Sequence, residues 1–325
     1  MYGTVVSTYK VELIPYAELH CHSWHSLNEG ASSVDQLVSR AYELRYEAIA
    51  LTDHDNLSGA MQFSQVTRSV NIHGVIGAEL TLEKEAHLTV LVKTAAGYAN
   101  LCRLLSFAHT FAQERKKPVI PTNILYEHTE GLIGLSGCLK GIIPKLISEG
   151  KYAEAKKAAK QHLEGFGSNN FFLELQQNLV KGDTPRNRRL IELANNLGVG
   201  TVATNNVHYH VRERHQLQDC LVAIGQQKSL DETHLQRRVN SEFYLKTVAQ
   251  MNRLFCDHME AIRNTTVIAD QCTFDLLESL RYKLPEYPVP TGYSQLSYLR
   301  ELCEKAAERR YKAITPKIRK RLEEE

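Results

Sequence analysis

Histidines carry most of the chemistry this sequence offers. The segment Glu-Leu-His20-Cys-His22-Ser sets two imidazoles two residues apart. On an extended strand such residues face the same way, so His20 and His22 can reach one cation from a single strand end. Groups of the same kind recur along the chain: Asp53-His54-Asp55, Glu79 in Gly-Ala-Glu-Leu, His87 in Glu-Ala-His-Leu, Cys138 in Leu-Ser-Gly-Cys, and Asn206 and His208 in Asn-Asn-Val-His-Tyr. Imidazoles with a carboxylate and one thiolate suit Zn2+ first, with Mn2+ or Fe2+ also served. Magnesium alone would want mostly oxygen. Several ions in one pocket need a bridging carboxylate, and Glu79, central in the order, is placed for it. Two ions ~3.5–4 Å apart clamp the attacking and leaving oxygens of a phosphoester and generate hydroxide near neutral pH. The chemistry expected is therefore metal-assisted hydrolysis of a phosphate ester, with His20, His22, Glu79 and Asp53 as its catalytic set. Asp53 is expected to orient an imidazole rather than to ligate.

Positioning these groups requires strands that end on one rim. Short apolar runs alternate with helical patterns over the first two thirds of the chain, the signature of β/α units and a parallel sheet. Candidate strands are 17–22, 48–52, 75–80, 88–92, 132–135, 171–175 and 200–204, a number that suggests a closed or nearly closed barrel ending near residue 210. In such barrels chemistry gathers at the C-terminal strand ends, where most of these groups fall; His87 precedes its strand. Ser33-Val-Asp-Gln36 is a capping box before Leu37, Val38, Ala41 and Leu44, which share a helical face. Further helices are expected at 98–111, 152–164 and 185–197, with a short one at 140–148, then 212–224, 247–254 and 258–271. Pro285, Pro288 and Pro290 make an extended link, and one amphipathic helix, 295–310, follows. The division expected is 1–284 for the barrel with its helical extension, and 285–325 for the link and the first helix of a further region.

Composition bounds the rest. The chain has 325 residues, 43% of them hydrophobic, which supports a sizeable core without disulfide staples. Its seven cysteines form no Cys-x-x-Cys pair, against a disulfide framework or zinc ribbon. No stretch reaches the ~20 apolar residues of a membrane span, and the first residues lack the pattern of a signal peptide; a cytoplasmic, bacterial setting is the default. A net charge of +2 gives no whole-chain footprint for nucleic acid. Arg186, Arg188 and Arg189 can be read as phosphate contacts or as an exposed helix start, and the basic run from Arg309 to Arg321 as a solvated helical face.

With these residues in view, the chain resembles the polymerase and histidinol phosphatase (PHP) family, most closely the domain at the N-terminus of bacterial family C DNA polymerases. The similar segments include YAELHCHS, IALTDHDNLSGAMQF, GAELTL, HLTVLV, EGLIGLSGC, VATNNVHYH, SEFYLK and YLRELCEKAAERRY, in the family's order along nearly the whole chain. Some wording leans to the error-prone branch and SEFYLK to the replicative one. The resemblance implies an α/β fold, a distorted (β/α)7 barrel followed by a helical C-terminal extension. It implies nine ligand positions for two to three ions of Zn2+ and/or Mn2+: His20, His22, Glu79 and Asn206 for one, Glu79, His87 and Cys138 for a second, Glu29, His54 and His208 for a third. The family usually has Asp at positions 29 and 206. Asn206 removes a negative charge, which implies a weaker first site. The activity implied is a 3′–5′ exonuclease of proofreading type on DNA, within a longer polymerase and its replication or repair partners. The alternatives are a catalytically weakened domain with a structural role, and a free-standing phosphatase of histidinol-phosphatase type. An amidohydrolase would want an eighth strand with a terminal Asp, which the sequence does not offer. The acidic motif of a polymerase active site is missing from the final segment.

Overall fold

The computed structural model describes residues 13–112, 117–279 and 287–324. Seven strands form one sheet in chain order: β1 (Ala17–Glu18), β2 (Ala48–Leu51), β3 (His73–Leu82), β4 (Ala86–Val92), β5 (Leu132–Leu135), β6 (Phe171–Gln176) and β7 (Gly200–Thr204). The ring closes just past its ends. Val207 donates its backbone N–H to the His20 carbonyl and its own carbonyl accepts from His22 N–H, both at 2.8 Å, where Cys21 and Val207 form a parallel bridge. The strands are buried on both faces, which explains their nearly continuous apolar runs.

The expectation of a parallel sheet needs correction at one strand. β4 runs antiparallel to both β3 and β5, with Glu79 opposite Thr89 and Thr81 opposite His87. A three-residue turn, Glu83–Glu85, joins β3 to β4, too short for the crossover helix that parallel pairing requires. Reversal puts the beginning of β4 on the rim where its neighbours end. His87, second residue of that strand, therefore joins the ligand-bearing rim from the opposite chain direction.

The helices follow from local signals. Ser33 accepts from Gln36 N–H and Gln36 reciprocates, starting the helix Val34–Glu43, which buries Val34, Leu37, Val38 and Ala41. Thr94 caps Ala95–Thr110 and Thr247 caps Val248–Leu254 by the same kind of bond. The helix Met259–Gln271 lies against β7 and β1, and Thr265 Oγ1 accepts from Ala17 N–H at 3.1 Å. A second unit, residues 280–325, contains the helices Gln295–Arg310 and Pro316–Glu324. The expected division at 284/285 and Pro285 lie outside the described residues.

Candidate metal centre

The rim brings His20, His22, His54 and His87 around one carboxylate. Glu79, on β3, is almost fully buried. Its Oε1 lies 3.3 Å from His20 Nε2, and its Oε2 lies 3.8 Å from His22 Nε2, 3.1 Å from His54 Nδ1 and 2.9 Å from His87 Nδ1. Two sets of donor atoms each fall within 4.8 Å of one another: His20, His22 and Glu79, and His54, Glu79 and His87. One carboxylate thus belongs to both sets, the arrangement a bridged pair of cations requires. Cys138 Sγ lies 3.7 Å from His87 Nδ1, on the side of the second set.

Burial and neighbouring charge tune these groups in opposite directions. Burial lowers His22 to about 3, which keeps a free lone pair for a metal. Burial works against protonating His20 as well, but Glu174 and then Glu79 overcome it and raise His20 to about 10. His54 is raised to about 12 for the same reason, by Asp55, Glu29 and Glu79 acting against burial. Glu79 is held well below the carboxylate range, because His87, His20 and His54 outweigh the cost of burying its charge. Positive charge is what the pocket is built to hold. Beyond those ion-pair contacts, His54 Nδ1 and Glu79 Oε1 are buried without a hydrogen-bond partner, and a cation between them would satisfy both. The donor set of imidazoles, a shared carboxylate and a thiol fits Zn2+ or Mn2+.

The groups behind the ligands differ from those expected. Asp53 touches no imidazole. Its Oδ1 accepts from Ser23 N–H and Ser26 hydroxyl and its Oδ2 from Ser23 hydroxyl, each at 2.7 Å. It reaches the ligands only through Ser26, whose Oγ lies 3.1 Å from His22 Nδ1 and accepts from His54 N–H at 3.0 Å. The carboxylate that orients an imidazole is Glu174, in the middle of β6, with Oε1 2.7 Å from His20 Nδ1. It also accepts from Gln176 at 2.6 Å and from Thr204 at 2.5 Å. Sequence reasoning missed it; the available signal was one acid inside the apolar run Phe-Phe-Leu-Glu-Leu. His54 is fixed through Nε2 by Thr81 Oγ1 at 2.8 Å and Asp55 Oδ2 at 3.1 Å.

The ligand grouping also shifts. His54, expected with Glu29 and His208, sits with Glu79 and His87, although Glu29 Oε2 is 3.6 Å from its Nδ1. Asn206, expected beside His20 and His22, holds a backbone φ of +47° and places Oδ1 3.0 Å from His208 Nε2. The His208 ring stacks on His22 at 4.5 Å between centroids. Its Nε2 is also in contact with the Arg238 guanidinium, a residue that the sequence reading did not single out. Arg186 is buried and paired with Asp183 at 2.7 Å, not exposed at a helix start; Arg189 pairs with Glu192 on the surface. The cleft over the site is lined by Glu29, Glu79, His87, Cys138, Asn206, His208 and three arginines, 186, 237 and 238.

The PHP domain family matches residues 18–178. The chain is 39% identical over 327 aligned positions to the error-prone DNA polymerase of Symbiobacterium thermophilum, covering 95% of this chain and 30% of that protein. It is 36% identical to DNA polymerase III subunit alpha of Treponema pallidum, covering 95% and 28%, and 35% identical to that of Borreliella burgdorferi, covering 94% and 28%. It thus spans less than a third of the length of these relatives. Strand order, a rim of histidines around a shared acid and the match across residues 18–178 agree, and the chain belongs to the PHP domain family.

Proposed function

We propose that this chain is the PHP module of a bacterial family C DNA polymerase and a metal-dependent phosphoesterase that removes nucleotides from DNA 3′ ends in the cytoplasm. The observation that carries the reading is Glu79, one buried carboxylate belonging to two histidine sets. His20, His22 and Glu79 would hold one ion; Glu79, His54 and His87, with Cys138 beside them, would hold another. Bound Zn2+ or Mn2+ would supply Lewis acidity and a hydroxide near neutral pH. The chain's own residues keep the imidazoles in place: Glu174 turns His20, Ser26 turns His22, and Thr81 with Asp55 turns His54.

The test compares protein stripped by chelator with protein reloaded with Zn2+ or Mn2+. Release of nucleotides from a 3′-labelled oligonucleotide, restored by metal and exceeding phosphate release from histidinol phosphate, supports the reading. A preference for histidinol phosphate would make the module a small-molecule phosphatase. Asn206 favours a second reading, a weakened site with a structural role in the polymerase, because a neutral amide stands where a charged ligand is expected. No tightly bound metal after reloading would favour that second reading over the first.

A further inference from the structure

We propose that Arg238 takes the place of a third cation at this rim, so that the chain holds two metal ions and excludes another from His208. The inference rests on the metal reading of the two Glu79 sets.

Three observations meet at His208. Its Nδ1 lies 3.2 Å from the Glu29 carbonyl oxygen. A carbonyl only accepts and a guanidinium only donates, so Nδ1 carries the hydrogen and Nε2 presents the lone pair, which requires the Asn206 amide to turn its nitrogen rather than its oxygen toward Nε2. That lone pair is met by the Arg238 guanidinium, which has donors and no acceptor. One lone pair cannot serve a guanidinium and a metal together. Arg238 is also held from its other side, its guanidinium carbon 4.3 Å from the centre of the Phe243 ring.

Charge agrees with geometry. Beside His208 stands the neutral amide of Asn206, 3.0 Å away. The carboxylates whose charge reaches this corner are already engaged, Glu79 by four imidazoles and Glu29 by His54 at 3.6 Å and Lys140 at 3.8 Å. A single guanidinium charge suits that surrounding better than a dication does. Among the described residues, Glu29, His54 and His208 form no set of mutually close donor atoms, whereas both sets that do form contain Glu79.

The test is metal stoichiometry, read by elemental analysis and calorimetry on the full chain after reloading with Zn2+ and, separately, Mn2+. About two equivalents are expected for the parent chain and about three for Arg238→Gln, with the extra equivalent abolished by adding His208→Asn. Arg238→Lys, which keeps a cation, should stay at about two; it guards against misreading a folding defect, as do matched circular dichroism spectra. Three equivalents in the parent would overturn the proposal and leave the metal reading intact. None in the parent would remove both. An Arg238→Gln chain still holding two, with a raised KM for DNA, would overturn the proposal and make Arg238 a contact for substrate phosphate.

Discussion

Replacing Glu174 separates the charge of a buried acid from its shape. Its Oε1 accepts from His20, Gln176 and Thr204, while its Oε2 is buried without a partner. In Glu174→Gln the amide oxygen can keep all three bonds, while the amide nitrogen takes the unpartnered place of Oε2 at a cost of ~1–3 kcal/mol for its buried donors. The substitution therefore removes the negative charge behind His20 with little loss of packing. Removing an orienting carboxylate behind a metal-binding imidazole costs about 10- to 100-fold in affinity, or ~1.4–2.7 kcal/mol. Glu174→Ala acts differently. It strands three buried donors at ~1 kcal/mol or more each and should destabilise the fold by at least ~3 kcal/mol. The assay is a competition between the protein and a chromogenic chelator for Zn2+, beside urea unfolding of the metal-free chains. The expected pattern is weak metal binding with a small fall in midpoint for Gln, and a larger fall in midpoint for Ala. If Glu174→Gln binds Zn2+ as tightly as the parent, the His20–Glu174 contact is only a structural bond and the tuning argument fails.

Other substitutions probe separate features. Asn206→Asp keeps a residue type tolerant of the positive φ and puts a carboxylate beside His208 and Arg238; Zn2+ stoichiometry should stay at about two equivalents, and a third tightly held equivalent would show that the charge at 206, not Arg238, decides that position. His162 is buried against Tyr126 and Phe171, and burial lowers it to about 4 from 6.5. Being depressed, it favours the fold above pH 6.5, and that contribution is lost as pH falls toward 4. His162→Leu should therefore cut the acid-induced loss in urea stability by ~3 kcal/mol, and an unchanged pH slope would sink the assignment. A Cβ on Gly97 would lie 1.9 Å from the Gly131 carbonyl oxygen, a backbone atom. Gly97→Ala should cost at least ~2 kcal/mol in the same unfolding assay, and a neutral result would mean that the loop before β5 yields.

Much of the rim was legible because strand geometry and ligand chemistry point the same way. His20 and His22 alternate on a strand, and His54, Glu79 and Cys138 each close an apolar run. The capping box at Ser33 was legible for the same local reason. The direction of β4 was not. Its turn uses Lys84 and Glu85 at positive φ, without the Gly or Asn that advertises a hairpin. Arg238 was hidden by distance: it follows the last strand, and only the folded chain brings it to His208. Glu174 looked like part of a buried strand because its partners, His20 and Thr204, lie far away in sequence. The error over Asp53 has a simple origin. Its carboxylate is taken up by Ser23 and Ser26, whose loop approaches Asp53 only in the folded chain.

The reversed fourth strand has a consequence for how the site assembles. Glu79 and His87 stand on the two arms of one tight hairpin, whereas His20 and His22 meet them only after distant parts of the chain have come together. Closing a short loop costs little chain entropy and closing a long one costs more. A nascent polypeptide can therefore present an acid and an imidazole as a ready pincer before the ring is complete. On the metal reading proposed above, a cation captured there early would favour closure of the ring over its remaining strands.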